Sequence, residues 1–348
     1  MFDFSEASIQ SLAIHKVGSK ANDGKLVLAQ SLIQIPDEEV IPLLKTYFLS
    51  PFKQPEFYSF AHETDLNMNE VYSYTSRVFE NTNLLLEQSQ NIAKHLFHSS
   101  NHPNIKEGEL YVVMLNDCVI DGELVDALGI FKSENKDTFL KVYHRSETFG
   151  LEQHQGINIR KLDKGCLIFN TERDFGFKVI AIDNTNKNDE ARYWKNAFLG
   201  VKPREDDFYQ TSGYINLCKD FVKDVLVNDT SVDKTEQVAI LNKTRDYFAK
   251  SDTFSNDDFE ENIISKPEVV EQFREYKEAY QTDMGCNLKD SFTISVDAAK
   301  QAKKVFKSVI KLDKNFHLYI HGGRDRVEKG FDHEKGLSYY KLYFDAER

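Results

Sequence analysis

The sequence predicts an α+β protein with an N-terminal antiparallel sheet and flanking helices, then a mainly helical second half closed by a β-hairpin. Three observations carry this expectation. Between Glu109 and Asp183, short β-rich runs follow one another with turn formers between them, which suits an antiparallel meander and leaves no room for crossover helices. From Glu190 onward, apolar residues recur at helical intervals. From Phe316 the chain returns to strand-like runs around a glycine-rich loop.

Taken in order, Ser8 to Val17 and Lys25 to Ile35 are strand-like runs separated by turn formers from Gly18 to Gly24, and they predict a hairpin. Pro36, Asp37, Glu38 and Glu39 place a proline and three acids where a helix should start. Val40, Leu43, Leu44 and Tyr47 give that helix an apolar face, and it ends before Pro51. Helical periodicity resumes from about Asn69 to His98 through Val71, Tyr74, Val78, Leu85, Ile92 and Leu96. The expected meander strands are Leu110 to Val119, Leu124 to Lys132, Thr138 to Tyr143, Gly165 to Asn170 and Gly176 to Ile182. Helices follow at Glu190 to Leu199, Asp206 to Val227, Val232 to Ala249, Asp257 to Ile263, Pro267 to Tyr280 and Val296 to Ile310. Two strands, Phe316 to His321 and Leu337 to Phe344, close the chain. The Gly200 to Arg204 loop separates two expected domains. Residues 1–200 form an α+β domain with the meander, and residues 201–348 a helical domain with a C-terminal basic helix and β-hairpin. There is no internal repeat and no low-complexity segment.

Composition narrows the class. With 348 residues the chain can bury a substantial core without a metal or disulfides. Cys118, Cys166, Cys218 and Cys286 are far apart and form no C-x-x-C pair, so they read as reduced thiols of a cytoplasmic protein. The acidic start, Met1 to Glu6, and apolar runs of strand length such as Leu110 to Leu115 predict neither a signal peptide nor a membrane span. No phosphate-binding glycine loop, dinucleotide fingerprint or nucleophile elbow occurs, and Glu275 and Lys277 lie on different faces of a helix. No enzyme, catalytic residue or cofactor is therefore expected. His95, His98 and His102 have neighbouring helical spacings, but Ser99, Ser100, Asn101 and Pro103 end the helix there, where histidines complement exposed carbonyls. His317 and His321 share a strand face without a cysteine or carboxylate to complete a metal shell, so no metal is expected either.

Charge is the most informative pattern. The chain carries a net −12, yet residues 297–348 hold 12 Lys+Arg against 8 Asp+Glu, a net +4, which leaves −16 on the preceding residues. On a helix at about 100° per residue, Lys300, Lys303, Lys304, Lys307 and Lys311 would fall on one side, opposite Ala302, Val305, Phe306 and Val309. Lys314, Arg324, Arg326, Lys329 and Lys341 add cations around the Gly322-Gly323 loop, and Tyr339 and Tyr340 stand beside Lys341. A cationic stripe with nearby aromatic rings suits phosphate contact and base stacking. The competing physical account is equally simple: lysines keep a helix solvated, and alternating tyrosines pack a sheet.

Several runs together resemble the bacterial nucleoid-associated NdpA family. They are Ile14 to Val17 with Leu26 to Leu32, Leu124 to Lys132, and Tyr193 to Gly200. The run from Phe306 to His317, with His321-Gly322 and Tyr339 to Lys341, is similar to the Bacteroidetes-type members. The likeness spans nearly the whole chain in order. It implies a cytoplasmic protein that partitions with the nucleoid and binds DNA, with RNA as a second polymer, and it supplies no catalytic residues. The expectation is therefore a non-enzymatic, nucleoid-associated DNA binder of little sequence specificity, able to form a homo-oligomer. Its rivals are a scaffold whose acidic surface meets a protein partner, and a metal-dependent nucleic-acid enzyme.

Overall fold

The structure is a computed structural model that describes residues 2–35, 37–53, 56–102, 105–185, 193–227, 229, 232, 234–305, 309–312, 316–319 and 326–346. The chain divides into two compact units, Met1–Arg204 and Glu205–Arg348.

The first unit is built on one antiparallel sheet. Its elements are β1 (Phe2–Asp3), β2 (Ser8–Val17), β3 (Leu26–Val27), α1 (Val40–Leu49), β4 (Tyr58–Phe60), α2 (Glu70–Glu80), α3 (Leu85–Ser99), β5 (Gly108–Ile120), β6 (Glu123–Ser133), β7 (Asp137–Arg145), β8 (Thr148–Gly156), β9 (Lys164–Phe169), β10 (Lys178–Asp183) and β11 (Val201–Pro203). The sheet order is β11-β4-β10-β9-β6-β5-β2-β3, with β1 pairing the far end of β5. Both faces are covered, which explains why β5 reads as a continuous apolar run and not as an alternation. Leu110, Val112 and Met114 enter one core with Val71, Ile92, Leu96, Trp194 and Phe198, from α2, α3 and a π-helical turn at Tyr193–Leu199. Tyr111, Val113 and Leu115 enter the other with Phe48, Phe52 and Phe57, around α1. Fully burying each large apolar side chain contributes roughly 1.5–3 kcal/mol.

The α+β architecture is as expected, with local corrections. The second strand of the first hairpin is only Leu26–Val27, because the next backbone groups are taken by side chains: Ala29 N donates to His15 Nδ1 at 3.0 Å, and Gln90 Nε2 donates to Ala29 O at 2.8 Å. The helical stretch from Asn69 to His98 is two helices, divided where the Asn81 side chain accepts from Asn83 N at 3.1 Å. The strand at Thr138 to Tyr143 does not enter the meander. β6 pairs directly with β9 through Lys132 and Lys164, and β7 pairs with β8, a strand the sequence pattern does not announce, in a separate ribbon. The register of that ribbon puts Leu140, Val142, Phe149 and Leu151 on one face, where all four are exposed.

The second unit comprises α4 (Asp207–Phe221), α5 (Lys234–Lys250), β12 (Thr253–Ser255), α6 (Asn256–Phe259), α7 (Pro267–Met284), β13 (Ser291–Thr293), α8 (Val296–Val305), β14 (Val309–Lys311), β15 (His317–Tyr319), β16 (Val327–Asp332) and β17 (Leu337–Leu342). Its core is aromatic. Phe254 and Phe292 face each other across the β12–β13 pair with ring centroids 4.8 Å apart, among Tyr214, Phe221, Phe248, Phe259 and Phe273. Of the helix expected from Val296 to Ile310, Val296–Val305 is helical, while Val309–Lys311 pairs with His317–Tyr319 as a strand. Consecutive β-branched Val309 and Ile310 favour the extended state over another helical turn. The chain thus closes with two short ribbons, β14–β15 and β16–β17, so the two expected terminal strands do not pair with each other.

Candidate nucleic-acid interface

Ser295 stands just before α8, and its Oγ accepts from Ala298 N at 3.4 Å. Ala298 and Ala299 are buried, while Lys300 is exposed and pairs with Asp297 at 3.2 Å. Lys303 and Lys304 follow on the same helix. Lys311 does not: it lies on β14 opposite His317, so the five lysines cannot form a single helical stripe. Lys307, Lys314, Arg324, Gly322, Gly323 and His321 lie outside the described residues.

The β16–β17 ribbon gathers what remains. Its register pairs Glu328 with Lys341, Lys329 with Tyr340 and Gly330 with Tyr339, and Tyr343 N donates to Arg326 O at 2.8 Å. Strand alternation therefore sends Arg326, Tyr339, Lys341 and Tyr343 to one face, and Lys329 and Tyr340 to the other. Gly330 leaves room for the Tyr339 ring, since a Cβ there would meet its hydroxyl at 2.4 Å. Lys341 Nζ stands 4.8 Å from the centre of the Tyr343 ring. Hydrogen bonding to Tyr343, then the nearby Glu328 carboxylate, raises the Lys341 pKa and keeps the amine protonated. Arg326 pairs with Asp345 at 2.6 Å, and Lys341 lies 3.9 Å from Glu328. These pairs are exposed, so screening leaves them weak and an incoming phosphate can displace the carboxylate.

The family model described as nucleoid-associated protein YejK matches residues 13–335. The chain belongs to that family. The match bears out the resemblance at the level of the family, runs through α8 and β16, and stops before β17, so Lys341 lies beyond the matched span. No curated protein matches the chain.

A second cluster in the first unit escaped the sequence pattern. Lys132 and Lys164 are wholly buried, and their ammonium groups meet the two oxygens of Glu134 at 2.8 and 2.9 Å. Lys132 also donates to Lys106 O at 2.7 Å, and Lys164 lies 3.4 Å from Asp183. Burial would raise the Glu134 pKa, but Lys132 and Lys164 together outweigh it and hold the carboxyl below its ordinary range. Asp163 accepts from Glu134 N, Asn135 N and Asn135 Nδ2 at 2.6, 2.8 and 2.7 Å. These residues sit where β5 and β9 begin and β6 and β10 end, which is one end of the sheet. Lys53, Lys106, Arg160 and Lys161 surround the same place, and the adjacency of Arg160 and Lys161 is its one sign in the sequence.

His95 and His98 are engaged by backbone carbonyls, and Cys118, Cys166 and Cys218 are buried. His95 Nε2 bonds Phe198 O at 2.9 Å, and His98 Nδ1 bonds Lys94 O at 2.7 Å. Burial pushes the Cys118 thiol up to about 12, with Cys166 and Cys218 raised further, so these sulfurs are poor nucleophiles. Among the described residues no helix is long and apolar enough to cross a membrane, and no three His, Cys, Asp or Glu are grouped to hold a metal ion.

Proposed function

We propose that the chain is a non-enzymatic, nucleoid-associated protein of the cytoplasm that holds DNA phosphates through its C-terminal cations, with little sequence preference. The observation that carries this reading is the β16–β17 ribbon, where Arg326 and Lys341 share a face with Tyr339 and Tyr343 in a chain of net charge −12. Membership of the nucleoid-associated family supports it independently. Lys300, Lys303, Lys304, Lys307, Lys311, Lys314, Arg324 and Lys329 are proposed as further phosphate contacts, and the similarity of the terminal run to the Bacteroidetes-type members is part of the same proposal. RNA is the second polymer to test.

If Lys300, Arg326, Lys329 and Lys341 each neutralise one phosphate, log affinity for duplex DNA falls against log salt with a slope of about −3.6, at about −0.9 per contact. Charge reversal in the variant Lys300→Glu/Arg326→Glu/Lys341→Glu should flatten that slope; an unchanged slope puts the DNA site elsewhere. The rival scaffold reading rests on the acidic stretch 205–296, with 10 Lys+Arg against 20 Asp+Glu. Capture of a basic partner that survives nuclease treatment, with no mobility shift by purified protein, would favour it.

A further inference from the structure

The end of the sheet that carries the buried Lys132–Glu134–Lys164 cluster opens onto a cavity of about 660 Å³. That volume suits a small molecule or a nucleotide unit. Lys53, Lys106, Arg160 and Lys161 line it, all exposed, in a unit whose 22 Lys+Arg are outnumbered by 28 Asp+Glu. They come from three separate loops, before β4, before β5 and between β8 and β9, so the fold and not a sequence run assembles them. Among the described residues, the Lys53 amine and the Arg160 guanidinium have no carboxylate partner. Lys106 Nζ donates to the neutral Asn135 Oδ1 at 2.8 Å, and Lys161 is 3.7 Å from the exposed Asp137.

Two carboxylates also line the cavity, and both are committed inward. Glu134 is covered by the two buried ammonium groups, and Asp163 by the amides of Glu134 and Asn135. Asp183 stands behind them against Lys164. The Asn158 side chain fixes the cationic loop, accepting from Arg160 N at 3.0 Å and donating to Asp137 Oδ2 at 2.7 Å. Four cations thus face the opening against two lining carboxylates already supplied with hydrogen bonds. Water-filled concave surfaces of one sign concentrate counter-ions, and guanidinium and ammonium groups set around a cleft match phosphoryl oxygens.

We propose that this cavity binds a phosphate-bearing ligand, separately from the C-terminal ribbon. Its phosphoryl groups could be presented by a free phosphate compound or by the backbone of a single-stranded nucleic acid. The full chain is titrated calorimetrically with pyrophosphate at low salt, and by fluorescence anisotropy with a single strand of roughly 12 nucleotides. Two cavity variants, Arg160→Ala/Lys161→Ala and Lys53→Ala/Lys106→Ala, are compared with a terminal control, Lys300→Ala/Arg326→Ala/Lys329→Ala/Lys341→Ala. The substituted cavity side chains are exposed, so an unchanged thermal midpoint is expected and certifies folding. Each cavity variant should weaken pyrophosphate at least about tenfold through lost charge-assisted hydrogen bonds, while the terminal control leaves pyrophosphate affinity intact. Parallel weakening of the single strand assigns the site to a polymer backbone; loss confined to pyrophosphate assigns it to a free phosphate compound. If folded cavity variants bind both probes as the parent does, or the parent binds neither, the proposal is wrong. The duplex salt slope of the terminal charge reversal tests the DNA-binding reading separately.

Discussion

Glu134→Gln should be among the most damaging single-atom-scale changes in the first unit. One carboxylate stands between two ammonium groups that are themselves 0% exposed, at 2.8 and 2.9 Å. The amide of glutamine keeps the shape and one acceptor but removes the charge, and it turns an N–H toward a cation. Breaking a buried ion pair costs about 3–5 kcal/mol, because the remaining charge stays buried without compensation. Two cations lose their partner here, yet neither is left bare: Lys132 keeps Lys106 O at 2.7 Å, and Lys164 keeps Asp183 at 3.4 Å. The loss should therefore stay near about 3–5 kcal/mol and not double, still a large share of the 5–15 kcal/mol typical of a folded domain. The assay is urea unfolding followed by tryptophan fluorescence. Trp194 is the one tryptophan of the chain and lies in the first unit's core, with Nε1 donating to Gly165 O at 3.4 Å. The double variant Lys132→Met/Glu134→Gln should recover part of the loss, since it leaves one buried cation and that one beside Asp183. A loss below about 1 kcal/mol for Glu134→Gln, in the range of exposed pairs, would refute the idea that this network is dry and mutually dependent.

Two further outcomes follow from local geometry. His15 is 1% exposed, its Nδ1 accepts from Ala29 N and its Nε2 donates to Ser89 Oγ at 2.9 Å; burial lowers its pKa from 6.5 to about 4. The unfolded chain then binds the extra proton first, so stability is full above pH 6.5 and falls as the pH drops toward 4. The loss approaches about 3 kcal/mol. Denaturant midpoints of the parent measured against His15→Gln across that window should diverge, and parallel curves would contradict the buried neutral imidazole. At Gly200, φ is +63° and a Cβ would meet Asn69 Nδ2 at 2.5 Å, the group that donates to Leu199 O and Gly200 O. Gly200→Ala should cost roughly 1–3 kcal/mol from backbone strain alone, read as a lower thermal midpoint; Asn69→Ala/Gly200→Ala should regain little, because Asn69 also caps α2, its Oδ1 accepting from Tyr72 N at 2.9 Å.

Element type was legible wherever burial imposed a period on the residues. The helices from Asp206 to Tyr280 are cases in which a packed face dictated side-chain spacing, and β5 was legible as an unbroken apolar run because both its faces are covered. The pattern failed where no core enforced it: β8 is mostly exposed, and its brief alternation at Phe149 and Leu151 gives way to the polar run Glu152, Gln153, His154 and Gln155. It failed again at Val309 to Lys311, where the spacing of Lys311 continues the helical interval but pairing with His317–Tyr319 makes a strand.

What the sequence alone determined is therefore the α+β fold class, the family, and the concentration of positive charge near the C-terminus. These depend on composition and on periods short enough to be read within one element. Only the tertiary structure decided that Lys311 leaves the helix, that Arg326 and Lys341 meet Tyr339 and Tyr343 on one ribbon face, and that Lys53, Lys106, Arg160 and Lys161 converge over Lys132, Glu134 and Lys164. Loop convergence joins Lys53 to Arg160 and Lys161 across more than a hundred positions, strand register sets which residues of a ribbon share a face, and no local propensity encodes which of many exposed cations end beside one another.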